Sequence, residues 1–228
     1  MRNFLNSLKS SGFKPKTIID GGVAHGTGDL YKTFPDAYYY LFEPIKEFTP
    51  FISKNLEKIK GEHHIIAISD KEGKALIRTP WEWKDDQPYL GFGGSSMFWD
   101  NEGPELKEKE FEQVGQRTRI IEQTTLDIFF KNVPLEEPVL LKTDLQGYDL
   151  KALQGATKTV LKKCEIVISE ISPIGSEKTE GITEYTVFMS DQGFVCADII
   201  DPLRYENERL MQVDACFIKR SSDFLYRK

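Results

Sequence analysis

The chain is short of cysteine, of histidine and of long apolar runs, and each shortage closes a class of function. Its three cysteines, Cys164, Cys196 and Cys216, are far apart and form no C-x-x-C pair. That excludes a disulfide framework and predicts buried free thiols in a reducing compartment. His25, His63 and His64 fall in no metal-ligand spacing such as H-E-x-x-H, so a structural zinc site is not expected. No apolar segment is long enough to span a membrane. Residues 1–9 space Phe4, Leu5 and Leu8 like a short amphipathic helix and build no signal-peptide core, which makes the cytoplasm the expected compartment. Basic charge is also scarce: 30 Lys and Arg stand against 36 Asp and Glu, a net charge of −6. Without a basic block, nucleic acid is not an expected partner.

What is present is a chain of 228 residues, 39% apolar and 29% charged, suited to one domain with a sizeable core. It is organised around residues 17–28. Thr17, Ile18 and Ile19 favour a strand, Asp20 closes it, and Gly21, Gly22, Gly26 and Gly28 make a dense turn before a helix-compatible run. A glycine loop at such a junction lets backbone N–H groups approach a ligand closely. The dinucleotide spacing G-x-G-x-x-G is absent, which disfavours NAD, and no Gly-Lys-Ser/Thr follows, which removes the phosphate-binding P-loop. An acidic residue ending the strand, followed by Gly22 and Gly26, resembles the first motif of S-adenosylmethionine (SAM)-dependent methyltransferases.

Further strands and helices alternate. An aromatic strand over 37–43 ends on Glu43, 23 residues beyond Asp20, where an acidic side chain binds ribose hydroxyls in such folds. Thr49-Pro50 reads as a helix start. The apolar run 64–70 reads as a third parallel strand that brings Ile68, Ser69 and Asp70 to the ligand edge. Residues 73–79 and 117–123 look like an inserted pair of strands. Between them lies an aromatic, glycine-rich stretch with Ser95, Ser96 and Trp99, expected to be a substrate lid. The strand 139–144 ends on Asp144, and the strand 165–169 delivers Glu170 to the same rim. The last two strands, 194–200 and 212–219, have no helix between them and should pair antiparallel. The expected fold is therefore α/β: a Rossmann-like, doubly wound, mostly parallel seven-stranded sheet with an antiparallel edge strand.

Taken in order, Ile19-Asp20-Gly21-Gly22-Val23-Ala24-His25-Gly26, Leu41-Phe42-Glu43-Pro44, Ala67-Ile68-Ser69-Asp70, Ser95-Ser96, Thr124-Thr125-Leu126-Asp127, Leu141-Lys142-Thr143-Asp144-Leu145-Gln146-Gly147 and Asp214-Ala215-Cys216-Phe217 resemble the FkbM family of methyltransferases. The resemblance implies SAM as cofactor, with Asp20, Gly21, Gly22, Val23, Ala24, Gly26, Glu43, Pro44, Ile68, Ser69, Asp144 and Leu145 around it. It also implies methyl transfer to a hydroxyl of a sugar, glycan or secondary metabolite. The chain departs from the family pattern where Val23-Ala24 stands in place of the usual Ala-Asn, and at Gln146 and Asp149, where Glu is frequent. Ser95, Ser96, Trp99 and Gln146 are the candidate acceptor contacts. Asp144 is the first candidate base, followed by Glu170 and His25. A Mg²⁺ ion that acidifies the acceptor remains open, although the sequence supplies no ligand pattern for it. The alternatives are a noncatalytic SAM- or nucleotide-binding scaffold, an N-methyltransferase, and a nucleotide-dependent oxidoreductase, which the glycine spacing opposes.

Overall fold

Side chains alternate faces along a strand, so a strand that is apolar throughout must be covered on both sides. β1 (Thr17–Gly21) and β8 (Val139–Thr143) are buried at every position. In the computed structural model, which describes residues 1–80, 97, 108, 110–111, 116–175 and 180–226, they lie side by side in the middle of a sheet. That sheet has seven strands in the order β10-β11-β9-β8-β1-β2-β3, with β2 at Tyr38–Phe42, β3 at Lys60–His64, β9 at Cys164–Ile171, β10 at Phe194–Arg204 and β11 at Leu210–Lys219. β11 pairs antiparallel with both β9 and β10, and the remaining pairs are parallel.

Alternation gives the sheet two apolar faces. Ile18, Tyr39, Leu41, Leu140 and Ile166 pack on one side against Phe4, Leu5 and Leu8 of α1 (Arg2–Ser10), Leu30 of α2 (Gly28–Thr33) and Ile52 of α3 (Thr49–Leu56). Ile19, Phe42, Leu141, Val167 and Phe217 pack on the other against α4 (Leu126–Phe129), α5 (Asp149–Gln154), α6 (Val160–Lys163) and α7 (Ile182–Asp191). The free thiols of Cys164 and Cys216 are buried in these layers. Thr125 caps α4 as its type predicts, its hydroxyl accepting the Ile128 N–H at 3.0 Å. Thr49 does not cap α3: a 3₁₀ turn over Lys46–Phe48 runs into the helix and makes Phe48 its first flanking residue.

One strand differs from expectation. The third parallel strand is Lys60–His64, in register with Tyr38–Phe42, and not the run 64–70. It is an edge strand and half-buried, so Lys-Gly-Glu-His-His carries no apolar signal. The apolar residues that follow turn away: β4 (Ala67–Ile68) pairs parallel with β7 (Gln116–Thr124) in a second sheet of order β4-β7-β5. There β5 (Gly73–Pro80) pairs antiparallel with β7, which is the inserted pair expected from sequence, with the short β6 (Glu110–Phe111) along the same partner. Arg119 of β7 ties this sheet to the turn before α3 through Glu47 at 2.6 Å. Met97 is buried. Ser95, Ser96 and Trp99, the residues of the expected lid, lie outside the described residues.

Candidate active site

Where neighbouring parallel strands end, their loops part and leave a crevice. Here the loop after β1 is fixed from both sides. Gly22 donates its N–H to Phe42 O at 2.9 Å, Ala24 donates to Glu43 Oε2 at 2.9 Å, and Asn55 Nδ2 donates to His25 O at 2.8 Å. Gly22 takes φ +76°, and a Cβ there would lie 1.9 Å from the Asp144 carbonyl oxygen. Glycine is therefore required twice over, by conformation and by close approach.

The crevice is a cleft of about 670 Å³, counted out to its open mouth, lined by Gly22, Ala24, Phe42, Glu43, Pro44, Ile45, Phe48, Ile66, Ala67, Ile68, Ile77, Met97, Asp144, Leu145 and Gln146. Most of the residues that line it are apolar, with Glu43 at one place and Asp144 with Gln146 at another. Each Glu43 oxygen accepts one backbone N–H, from Ala24 and from Ile45 at 3.0 Å, and each keeps a lone pair for a ligand hydroxyl. Burial pushes this carboxyl up to about 7 against those two N–H groups.

The polar end is a web of carboxyl groups around one cation. Lys142 Nζ lies 3.3 Å from Asp144 Oδ2 and 3.8 Å from Asp20 Oδ1, and the Tyr31 hydroxyl donates to Asp20 Oδ2 at 3.2 Å. Gln146, at φ +53°, reaches back with Nε2 to Asp144 Oδ1 at 2.9 Å and to Glu170 Oε2 at 3.3 Å. Gln212 Nε2 donates to the same Glu170 oxygen at 2.5 Å. Asp149, fully buried, accepts the Leu145 N–H with both oxygens.

These contacts divide the protons. Burial alone would raise the Asp144 carboxyl, but the Lys142 ammonium, with hydrogen bonds from Glu170 and Gln146, holds it below its ordinary value. Burial and the Asp144 charge push Glu170 up to about 10, and burial with the same charge pushes Asp149 up to about 7. Desolvation also raises Asp20 against the pull of Lys142. At neutral pH the Asp144–Glu170 pair therefore shares one proton and one negative charge, and the Lys142 ammonium draws the charge toward Asp144.

Of the residues expected around a cofactor, Gly22, Ala24, Glu43, Pro44, Ile68, Asp144 and Leu145 line the cleft. Asp20, Gly21, Val23, Gly26 and Ser69 lie outside that lining. Asp20 and Val23 are buried behind the loop, and Ser69 uses its N–H on Thr124 O and its hydroxyl on Asp70. Gln146 joins the two candidate carboxylates. His25 is set apart from them, its ring edge-on to Phe48 and Phe51 at 4.9 and 4.6 Å, with burial lowering its pKa. The cleft also uses Ile45 and Phe48 after β2 and Ile77 of β5, which the reading of the sequence did not reach, and Met97, which lies in the stretch expected to be a lid. Only their apolar character, next to segments already assigned to the ligand edge, pointed to them. Among the described residues, no three His, Cys, Asp or Glu side chains converge to hold a metal ion. No helix among them is long and apolar enough to cross a membrane.

Residues 20–196 match the model of the methyltransferase FkbM domain. No curated protein sequence matches the chain. Among solved structures, the FkbM methyltransferase of Methylobacillus flagellatus is similar at TM-score 0.50 and 11% identity, over 96% of this chain and 50% of that one. The chain thus spans half the length of that protein. An rRNA methylase of Streptococcus thermophilus gives TM-score 0.47 at 11% identity, over 95% and 94% of the two chains. Precorrin-6y C5,15-methyltransferase of Geobacter metallireducens gives 0.45 at 11%, over 96% and 87%.

Proposed function

The chain belongs to the FkbM family of SAM-dependent methyltransferases, and from that premise we propose that it methylates a hydroxyl of an uncharged sugar or glycan, with Asp144 as the base. The observation that supports this reading is the side chain of Asp144: held charged by Lys142, it remains 35% exposed at the mouth of the cleft. Glu43 would take the ribose hydroxyls, Ile45, Phe48, Ile68 and Ile77 the adenine, and the loop at Gly22 and Ala24 the methionine part. The bound sulfonium supplies an electrophilic methyl group.

The protein has to bring the acceptor oxygen into line and remove its proton, and positioning gives much of the acceleration. A hydroxyl becomes strongly acidic only as its oxygen gains a third substituent, the incoming methyl carbon, and becomes an oxonium, so a carboxylate of low basicity suffices provided that it is in place and ionised. Asp144 meets both conditions. Gln146 fixes its Oδ1, while Glu170, which keeps its own proton at neutral pH, serves as a hydrogen-bond donor. The carboxylates of Asp144 and Glu180 near this end disfavour phosphorylated acceptors and nucleic acid by charge.

Calorimetric titration with SAM, S-adenosylhomocysteine and NAD tests the cofactor. Binding of the first two and not of NAD is expected, and NAD binding alone sinks the reading. A screen of neutral sugars, phosphorylated sugars, glycans and amines then tests the acceptor. Turnover confined to amines or phosphorylated compounds overturns the hydroxyl assignment, and tight SAM binding without turnover on any acceptor favours the scaffold reading.

A further inference from the structure

We propose that Lys142 is a positioning residue for methyl transfer: from inside the sheet, its ammonium fixes the Asp144 carboxylate in place and in charge at the mouth of the cleft. The inference rests on the reading of Asp144 as the base.

Lys142 stands at a core position. On β8 it shares a face with Leu140, in register with Asp20 of β1 and Ile168 of β9, and Leu140, Ile18 and Ile168 around it are fully buried. Its own side chain is 4% exposed. Lysine is rarely buried to this extent, because the ammonium loses its hydration. Stability offers no sufficient reason for it, since an apolar side chain of similar volume commonly serves as well as a buried ion pair. The charge has a use only where it meets an exposed partner. Of its two contacts, Asp20 is closed off in the sheet, whereas Asp144 is the nearer and faces the cleft.

Titratable groups face this ammonium from several of the elements around it. β1 brings Asp20, with Tyr31 of α2 on its other oxygen and Tyr39 of β2 nearby. β11 brings Asp214. Around Asp144 itself stand Glu170 of β9, Asp149 of α5 and Glu43 after β2. Without Lys142, Asp144 faces these carboxyl groups with no cation beside it, and its carboxyl holds a proton up to a higher pH, which narrows the range in which it can serve as the base.

Carbon-13 NMR of carboxyl-labelled protein tests this without an acceptor, the Asp144 signal being the one lost in Asp144→Asn. In the unaltered protein its midpoint is expected below the ordinary value of about 3.9. In Lys142→Met it should rise by at least one pH unit, and the acid limb of kcat/KM should move up equally with the acceptor that the screen identifies. Because Lys142→Met leaves Asp20 buried without its cation, the double variant Asp20→Asn/Lys142→Met provides a second fold and should show the same rise. Asp20→Asn alone should lower the midpoint. A midpoint in the unaltered protein at or above the ordinary value, or a folded Lys142 variant with the midpoint unchanged, overturns the inference. Full turnover in Asp144→Asn removes the base reading instead, and the NMR result separates the two failures.

Discussion

Ala24 donates its backbone N–H to Glu43 Oε2 at 2.9 Å, so the acidic residue ending β2 also clamps the glycine loop that follows β1. Ala24 holds φ +45° in that clamp, a conformation disfavoured for a residue with a Cβ. Glu43→Ala removes the proposed ribose ligand and leaves two backbone donors unsatisfied. Hydrogen bonds to a charged partner are worth roughly 1.5–3 kcal/mol each, so SAM affinity is expected to fall at least about tenfold, with a lower Tm. Glu43→Gln keeps one acceptor and should lose less. Calorimetry and thermal melts read both effects, and unchanged SAM affinity in Glu43→Ala removes the assignment.

Glu170 should weaken the fold at neutral pH. Below pH 4 the folded and unfolded chains both carry its proton. Above its ordinary 4.5 the unfolded chain releases that proton, while the folded chain keeps it up to about 10, so stability falls as pH rises through this window. Glu170→Gln removes the penalty while retaining a donor to Asp144. It is expected to be more stable by about 1–3 kcal/mol at pH 7.5, with the gap closing below pH 4. Urea denaturation at the two pH values checks the sign. Turnover should stay within about tenfold of the original, since the group is a donor and not the base.

Gly22→Ala is expected to damage the site more than the fold. A Cβ 1.9 Å from the Asp144 carbonyl oxygen forces the loop after β1 away from the segment carrying the base. Substitution at a positive φ alone costs about 1 kcal/mol or more. The expected outcome is a Tm a few degrees lower, together with loss of measurable SAM binding. A variant that binds SAM normally shows that the loop can move without consequence.

The parts of this site that were legible in the sequence are those encoded locally. Gly22 and Glu43 could be placed because a strand rich in apolar residues announces where it ends, and a parallel sheet puts such ends on one rim, whereas Asp20, expected at that rim, lies within β1 and is buried outside the cleft. Asp144 and Glu170 followed from the same rule, and β8 and β9 do lie side by side. What was hidden depends on residues distant in the chain. β3 is polar because it lies at an edge, so its pattern resembled a loop. Ile77 and Met97 reach the cleft only because a second sheet folds back over it. Lys142 stood in a recognisable motif, but its task is set by Asp20 from another strand and by burial, neither of which a run of residues can show.

Asp144→Asn and His25→Ala together decide where the proton goes. The Asn side chain keeps the size of Asp144 and can still meet Gln146 and Lys142, but it accepts no proton. A positioned base contributes typically about 10²–10⁴-fold, so turnover should fall by that range with SAM affinity changed much less. His25 has its ring edge-on to Phe48 and Phe51 and away from the carboxylate pair, and burial lowers its pKa. His25→Ala should therefore lower Tm by loss of packing and keep turnover within a few-fold. The pH profiles sharpen the contrast. With Asp144 as base, and its carboxyl held low, kcat/KM for the acceptor, measured with SAM saturating so that Glu43 does not limit, should stay level from pH 8 down to about 5, whereas a histidine base would give an acid limb near or below pH 6.5. An acid limb at that pH that disappears in His25→Ala would transfer the role to the imidazole. A level profile, with the loss confined to Asp144→Asn, leaves it with the carboxylate.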